Sequence, residues 1–198
     1  MRLPDSWTDT VPVLEPLEHS WNFVPRLALI AWLLFYGLFL YQAARGTGLL
    51  LLMDTVFVPI HEGGHLLFHY FGTTIGVAGG TFLQLFVPFA LAAYFVYYRE
   101  TQAVAFCTFF FFEHFLPIAT YMADARAQQL PLLTVGDSSY VIHDWNYMFT
   151  KLDILQYDTA IANWVRFIGW LGMIGVICWL LWRALNDVES KRTAVEPY

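Results

Sequence analysis

Residues 49–71 read LLLLMDTVFVPIHEGGHLLFHYF. The run is long and apolar enough for a helix that crosses a bilayer, which takes about 20 such residues. It nevertheless carries His61, Glu62 and His65, with Asp54 before them and His69 after. Ionisable groups are costly in hydrocarbon and call for a functional explanation. His61 and His65 are four residues apart, so a helix puts both imidazoles on one face, where they can bind one metal ion. Glu62, in the H-E-x-x-H pattern, is then placed to act as general base toward a water. The bland alternative is a pair of histidines packed inside a helical bundle.

The rest of the chain supports a membrane setting. It has 198 residues, a mean hydropathy of +0.52, 58% hydrophobic residues and only 13% charged ones. A soluble domain of this size carries about 25% charged residues. Apolar spans are expected at 27–43, 49–71, 81–98, 103–122 and 164–185. Trp7, Trp21, Tyr97, Tyr98, Trp164 and Trp182 flank them, as in interfacial aromatic belts. The expected fold is an all-α membrane protein, a polytopic bundle of about five transmembrane helices. An N-terminal interfacial tail occupies 1–25, a membrane core with the metal site 26–126, and an extramembrane loop 127–162. The last transmembrane helix covers 163–185 and a C-terminal tail 186–198. The polar, acidic N-terminus does not read as a cleaved signal peptide. Glycines and threonines in 72–80 predict a turn or a partly unwound stretch. Cys107 and Cys178 fall in separate apolar spans and read as buried apolar residues. No basic footprint for nucleic acid is present, the net charge being −6.

Five spans put the N-terminus and the second and fourth loops on one side, with Arg2, Arg26, Arg126, Lys151 and Arg166. The other side holds Arg45, Arg99, Arg183, Lys191 and Arg192. The positive-inside rule then gives a tie, and the tight flanks Arg45, Arg99 and Arg183 tilt it toward a cytoplasmic C-terminus.

A catalytic zinc takes three protein ligands and keeps a position open. His69 lies two turns from His61, about 12 Å along the axis, too far to share its metal. The third ligand must come from another segment. Asp124, after the fourth span, is the first choice; its bland reading is a solvated carboxylate at a helix end. His143 and Asp144 come next, in a loop that can fold back over the site, against a plain N-cap or Asx-turn role. Glu113 and His114 lie deeper in the fourth span. They can pair with polar groups on other helices or, with Asp54 and His69, line a water-filled cavity or proton path.

The segment from Val58 to Leu67 resembles the first motif of the site-2 protease family of intramembrane zinc metalloproteases, in which Gly before the second His is usual. That family has a Gly-Pro-x-x-Asn segment opening the next span. This chain has Gly80-Thr81-Phe82-Leu83-Gln84 there, so an amide is kept one methylene longer. The resemblance implies Zn2+ as cofactor and Glu62 as catalytic base. It further implies Gln84 as a group that holds the substrate backbone, and Asp124 at the place of the family's third ligand, although Ala125 replaces the Gly that follows it there. It covers about residues 50–130. The implied activity is hydrolysis of peptide bonds in membrane-protein substrates. The expected setting is a lipid bilayer, of the bacterial inner-membrane type, in a multi-pass protein. The alternative is a non-catalytic zinc-binding scaffold, a partner subunit of a larger membrane complex. A proton or ion pathway through His61, His65, His69 and His114 is a third reading.

Overall fold

The computed structural model describes residues 20–45, 49–130 and 142–195, with the backbone alone at 49–55 and 187–195. The Asp54 side chain, most of the N-terminal tail and the turn signal at Gly136 to Ser139 therefore lie outside what is described. Among the described residues seven α-helices follow in order: α1 (Arg26–Arg45), α2 (Leu49–Phe68), α3 (Thr73–Tyr97), α4 (Thr101–Glu113), α5 (Phe115–Ala123), α6 (Asp144–Lys151) and α7 (Asp158–Val195). Among the described residues there is no strand, so the expected all-α bundle is what is found. Among the described residues, four segments are long and apolar enough to cross a membrane: Arg26–Arg45, Thr73–Tyr97, Thr101–Ala123 and Leu155–Asn186.

Contacts at the two ends of the bundle fix the direction of each helix. The N–H of Asn22 donates to the Arg99 carbonyl, and the Thr101 hydroxyl donates to that of Asn22. Arg99 and Arg183 both lie over the Trp21 ring, which meets Trp179 edge-on. The segment before α1, the α3–α4 turn and the later part of α7 thus share one end. At the other end, the start of α3 meets the end of α2 and the later part of α6, and α6 in turn meets the end of α5. The sequence-based side assignment is therefore corrected: residues 21–22 lie with Arg99 and Arg183, not with Arg126 and Lys151. Trp32, Phe35, Tyr36 and Phe39 of α1 meet Gln102, Phe106, Phe109 and Phe110 of α4 in that order, so the two helices run parallel. Hence α1 and α2 together carry the chain across once, not twice.

Aromatic packing holds the end with Trp21. Tyr36, Phe39, Phe109, Met173 and Leu180 are fully buried there, with the Tyr36 and Phe109 rings 4.5 Å apart. Small residues do the equivalent elsewhere. A Cβ on Gly172 would lie 2.1 Å from the Phe112 ring, so α4 and α7 approach closely. A Cβ on Gly64 would lie 2.2 Å from the Gly79 carbonyl oxygen. In lipid, such close backbone approach is a main source of helix association.

That last contact corrects the reading of 72–80 as a turn or unwound stretch. Only Gly72, at φ 99°, is the turn. Thr73 already starts α3, and Gly76, Gly79 and Gly80 are helical and buried. Their lack of side chains lets α2 lie against α3, rather than loosening the backbone.

Candidate metal centre

The i, i+4 spacing delivers what the motif implies. His61 and His65 sit on one face of α2, ring centroids 4.8 Å apart. Nε2 of His61 is 3.1 Å from Oδ2 of Asp144, and Nε2 of His65 is 3.3 Å from the same oxygen. The three residues can each offer a ligand atom, all within 4.8 Å of one another.

The far side of each imidazole is also engaged. Nδ1 of His65 is 2.8 Å from the Gly76 carbonyl, and Nδ1 of His61 is 3.1 Å from Oε1 of Gln84. A backbone carbonyl can only accept, so His65 carries its hydrogen on Nδ1, and the amide as placed gives His61 the same tautomer. Each neutral ring then turns an Nε2 lone pair toward a carboxylate oxygen. Three electron-rich atoms facing one another are repulsive unless a cation lies among them. A metal ion or added protons supply it. A partner on the outer nitrogen is the usual way a metal-binding histidine is oriented. Gly80 completes the cradle: a Cβ there would lie 2.6 Å from Nε2 of His65 and 2.7 Å from Nε2 of His61.

Asp144 reaches the site because α6 is tied down at both ends. His143 is its N-cap, with Nδ1 accepting the Asn146 N–H at 3.2 Å. The Asp144 N–H donates to the Tyr121 hydroxyl at 3.2 Å, and the Asn146 side chain donates to the Ala125 carbonyl at 2.8 Å. At the other end, the Tyr147 hydroxyl is 3.3 Å from Oγ1 of Thr74, which also receives Nζ of Lys151. Burial pushes the Asp144 carboxyl up, but the two imidazoles outweigh it and hold the group below the usual carboxylate range.

The carboxylate that meets the two imidazoles is thus Asp144, and Asp124 is placed elsewhere. Asp124 caps α5 and folds its carboxylate onto the next turn, accepting from the N–H of Gln129 at 2.9 Å and of Leu130 at 3.0 Å. Nε2 of His143 lies 3.5 Å from it. Arg126 turns instead to Asp158 at the start of α7, with Nη2 2.8 Å from Oδ1 and Nε donating to Oδ2 at 2.9 Å.

The remaining candidates separate cleanly. Gln84 gives its side-chain oxygen to His61, so it positions a ring. His69 is exposed in the short 3₁₀ turn after α2 and stands apart from the cluster. Glu113 and His114 are each 1% exposed, at the break between α4 and α5. Nδ1 of His114 donates to the Phe110 carbonyl and lies 3.3 Å from Glu113. The His114 ring packs on Phe57, one turn before His61. The pair is adjacent to the cluster but contributes no atom to it. Glu62 is half-buried and interacts electrostatically with His65 and Tyr121. Tyr121 was missed from sequence; an aromatic near the end of an apolar span gives no sign of which helix it will meet.

No family model, curated protein or solved structure matches the chain.

Proposed function

We propose that this chain is an intramembrane zinc metalloprotease of the site-2 protease type, with His61, His65 and Asp144 as the metal ligands and Glu62 as the general base. The observation that carries the reading is the convergence of two Nε2 lone pairs and the Asp144 carboxylate, each imidazole braced from behind. Two imidazoles and one carboxylate suit zinc and leave a position open. A zinc ion there would supply Lewis acidity toward a water and a carbonyl oxygen.

The chain's own groups divide the remaining work. Glu62 takes a proton from water as the water oxygen bonds to the scissile carbonyl carbon. It returns the proton to the amide nitrogen as the C–N bond breaks. Gln84 and Gly76 keep the imidazoles aimed. The small faces of Gly76 and Gly80 keep α3 close enough to do so. A transmembrane substrate must first unwind locally, because its carbonyls are otherwise satisfied within the helix.

One observation favours the scaffold alternative. The Gln84 oxygen, which the resemblance offers to the substrate backbone, is engaged by His61 instead. Metal analysis and cleavage together decide. Purified protein should hold one zinc per chain, and Glu62→Gln should keep the zinc while losing cleavage of a membrane substrate. Zinc without cleavage in the unaltered protein would make it a scaffold. Absence of zinc would sink both readings.

A further inference from the structure

Tyr121 stands in the last turn of α5, and its hydroxyl hydrogen has no role in the account above. The phenol is held at two points. Its oxygen accepts the Asp144 N–H at 3.2 Å. Its ring lies along the His143 ring, with centroids 4.3 Å apart and planes 33° from parallel. His143 is itself anchored through the Asn146 N–H and stands 3.5 Å from Asp124. A phenol has one hydrogen to give and lone pairs to accept with. Accepting from Asp144 leaves that hydrogen free, and among the described residues none accepts it. The residue whose N–H the phenol accepts is also the one whose carboxylate faces His61 and His65, so the free O–H stands beside the candidate metal ligands.

We propose that Tyr121 donates this hydrogen bond to the oxygen anion that develops on the scissile carbonyl. The proposal rests on the proteolytic reading. Negative charge collects on that oxygen as the carbon becomes tetrahedral, and a donor already aimed there stabilises the transition state without reorganising. The phenol keeps its proton throughout, so the bonds made and broken remain those of the hydrolysis already described. The Asp144 N–H polarises the hydroxyl and makes it a better donor. Locking of the ring against His143 supplies the preorganisation.

Tyr121→Phe removes the O–H and keeps the ring. Three measurements on the full-length chain in detergent separate the outcomes. Metal affinity is read by competition with a fluorescent chelator. Binding of methylphosphonate, a small tetrahedral oxyanion, is followed through the visible bands of the cobalt-loaded protein. Turnover is read with self-quenched fluorescent casein. The expected result is metal affinity within about threefold of the unaltered protein. Methylphosphonate should bind about tenfold or more weakly, the scale of a hydrogen bond to a charged group. kcat should fall by roughly a hundredfold with little change in KM. Unchanged methylphosphonate binding would overturn the proposal. So would metal affinity falling in step with it, because Tyr121 would then serve only to hold Asp144. If the unaltered protein binds metal and leaves casein intact, the protease reading fails on its own, while the methylphosphonate titration still decides whether the phenol donates to an anion at the metal.

Discussion

The carbonyl oxygen of Gly76 lies 2.8 Å from Nδ1 of His65. This contact joins the second turn of α3 to the last turns of α2, and it sets which nitrogen of His65 is available. Gly76 has no side chain to hold the two helices apart, and its carbonyl sits where an imidazole can reach it. The state of the candidate metal site thus depends on a backbone atom of a neighbouring helix, which no side-chain replacement removes directly.

The two candidate carboxylates should behave differently. Asp144→Asn should weaken metal binding by more than about a hundredfold, because it removes the charged ligand. Asp124→Asn should leave metal affinity within about the tenfold lower edge of effects seen for groups that brace ligands. Isothermal titration with zinc on both variants checks this. The opposite ranking would return Asp124 to the site.

Gly80→Ala should abolish metal binding. Its methyl would fall 2.6–2.7 Å from both Nε2 atoms, so the imidazoles or α3 must shift. Gly37→Ala is the control, with nothing within 4 Å of its added methyl. Equal metal content in the two purified variants would show that α3 does not form the wall of the site.

Acid should open the turn after α5. Burial raises the Asp124 carboxyl, but the N–H groups of Gln129 and Leu130, with His143, outweigh it and hold the group below its usual range. A lowered folded value means the ionised form is favoured in the fold. Its stabilisation is present above the ordinary value of about 3.9 and is lost as pH falls through the lowered one. Amide exchange at Gln129 and Leu130, corrected for intrinsic rates, should show protection near neutrality that disappears below about pH 4. Protection that survives to lower pH in Asp124→Asn as well would assign it to something other than the carboxylate.

The two ends of the bundle should face opposite compartments, with α6 outside. Arg26, Arg99 and Arg183 share one end, and Lys191 and Arg192 follow on α7; toward the other end lie Arg126, Lys151 and Arg166, with Arg45 closing α1. Five against four favours a cytoplasmic C-terminal end. In intact cells expressing the chain, an impermeant maleimide should label Thr150→Cys on α6 and spare Asn186→Cys, in a background where Cys107 and Cys178 are replaced by Ser. Labelling of the second and not the first would invert the orientation.

What could be read from the sequence was what depends on neighbours along the chain. The facing of His61 and His65 follows from helical spacing alone, and the all-α bundle follows from the apolar runs. Asp144 could not be ranked first on that basis. Its approach depends on α6 folding back onto Tyr121, Ala125 and Thr74, contacts between residues distant along the chain. Asp124 matched the expected order of ligands, yet a helix end that must close its own turn uses a carboxylate locally. Glycine in 72–80 suits both a loop and a close helix contact, and only Gly64 opposite it decides. The side assignment failed for a related reason: it counted α2 as a complete crossing.

Two of the candidate ligands, His61 and His65, lie on a helix packed in the apolar bundle, and the third, Asp144, lies on α6, eight residues long and outside the candidate spans. Exchange of an ion would therefore require only that this short helix lift from its ties to Tyr121, Ala125 and Thr74. Local openings of that kind cost much less than global unfolding. The rate at which the site fills and empties would be set by a surface hinge, while the bundle stays closed.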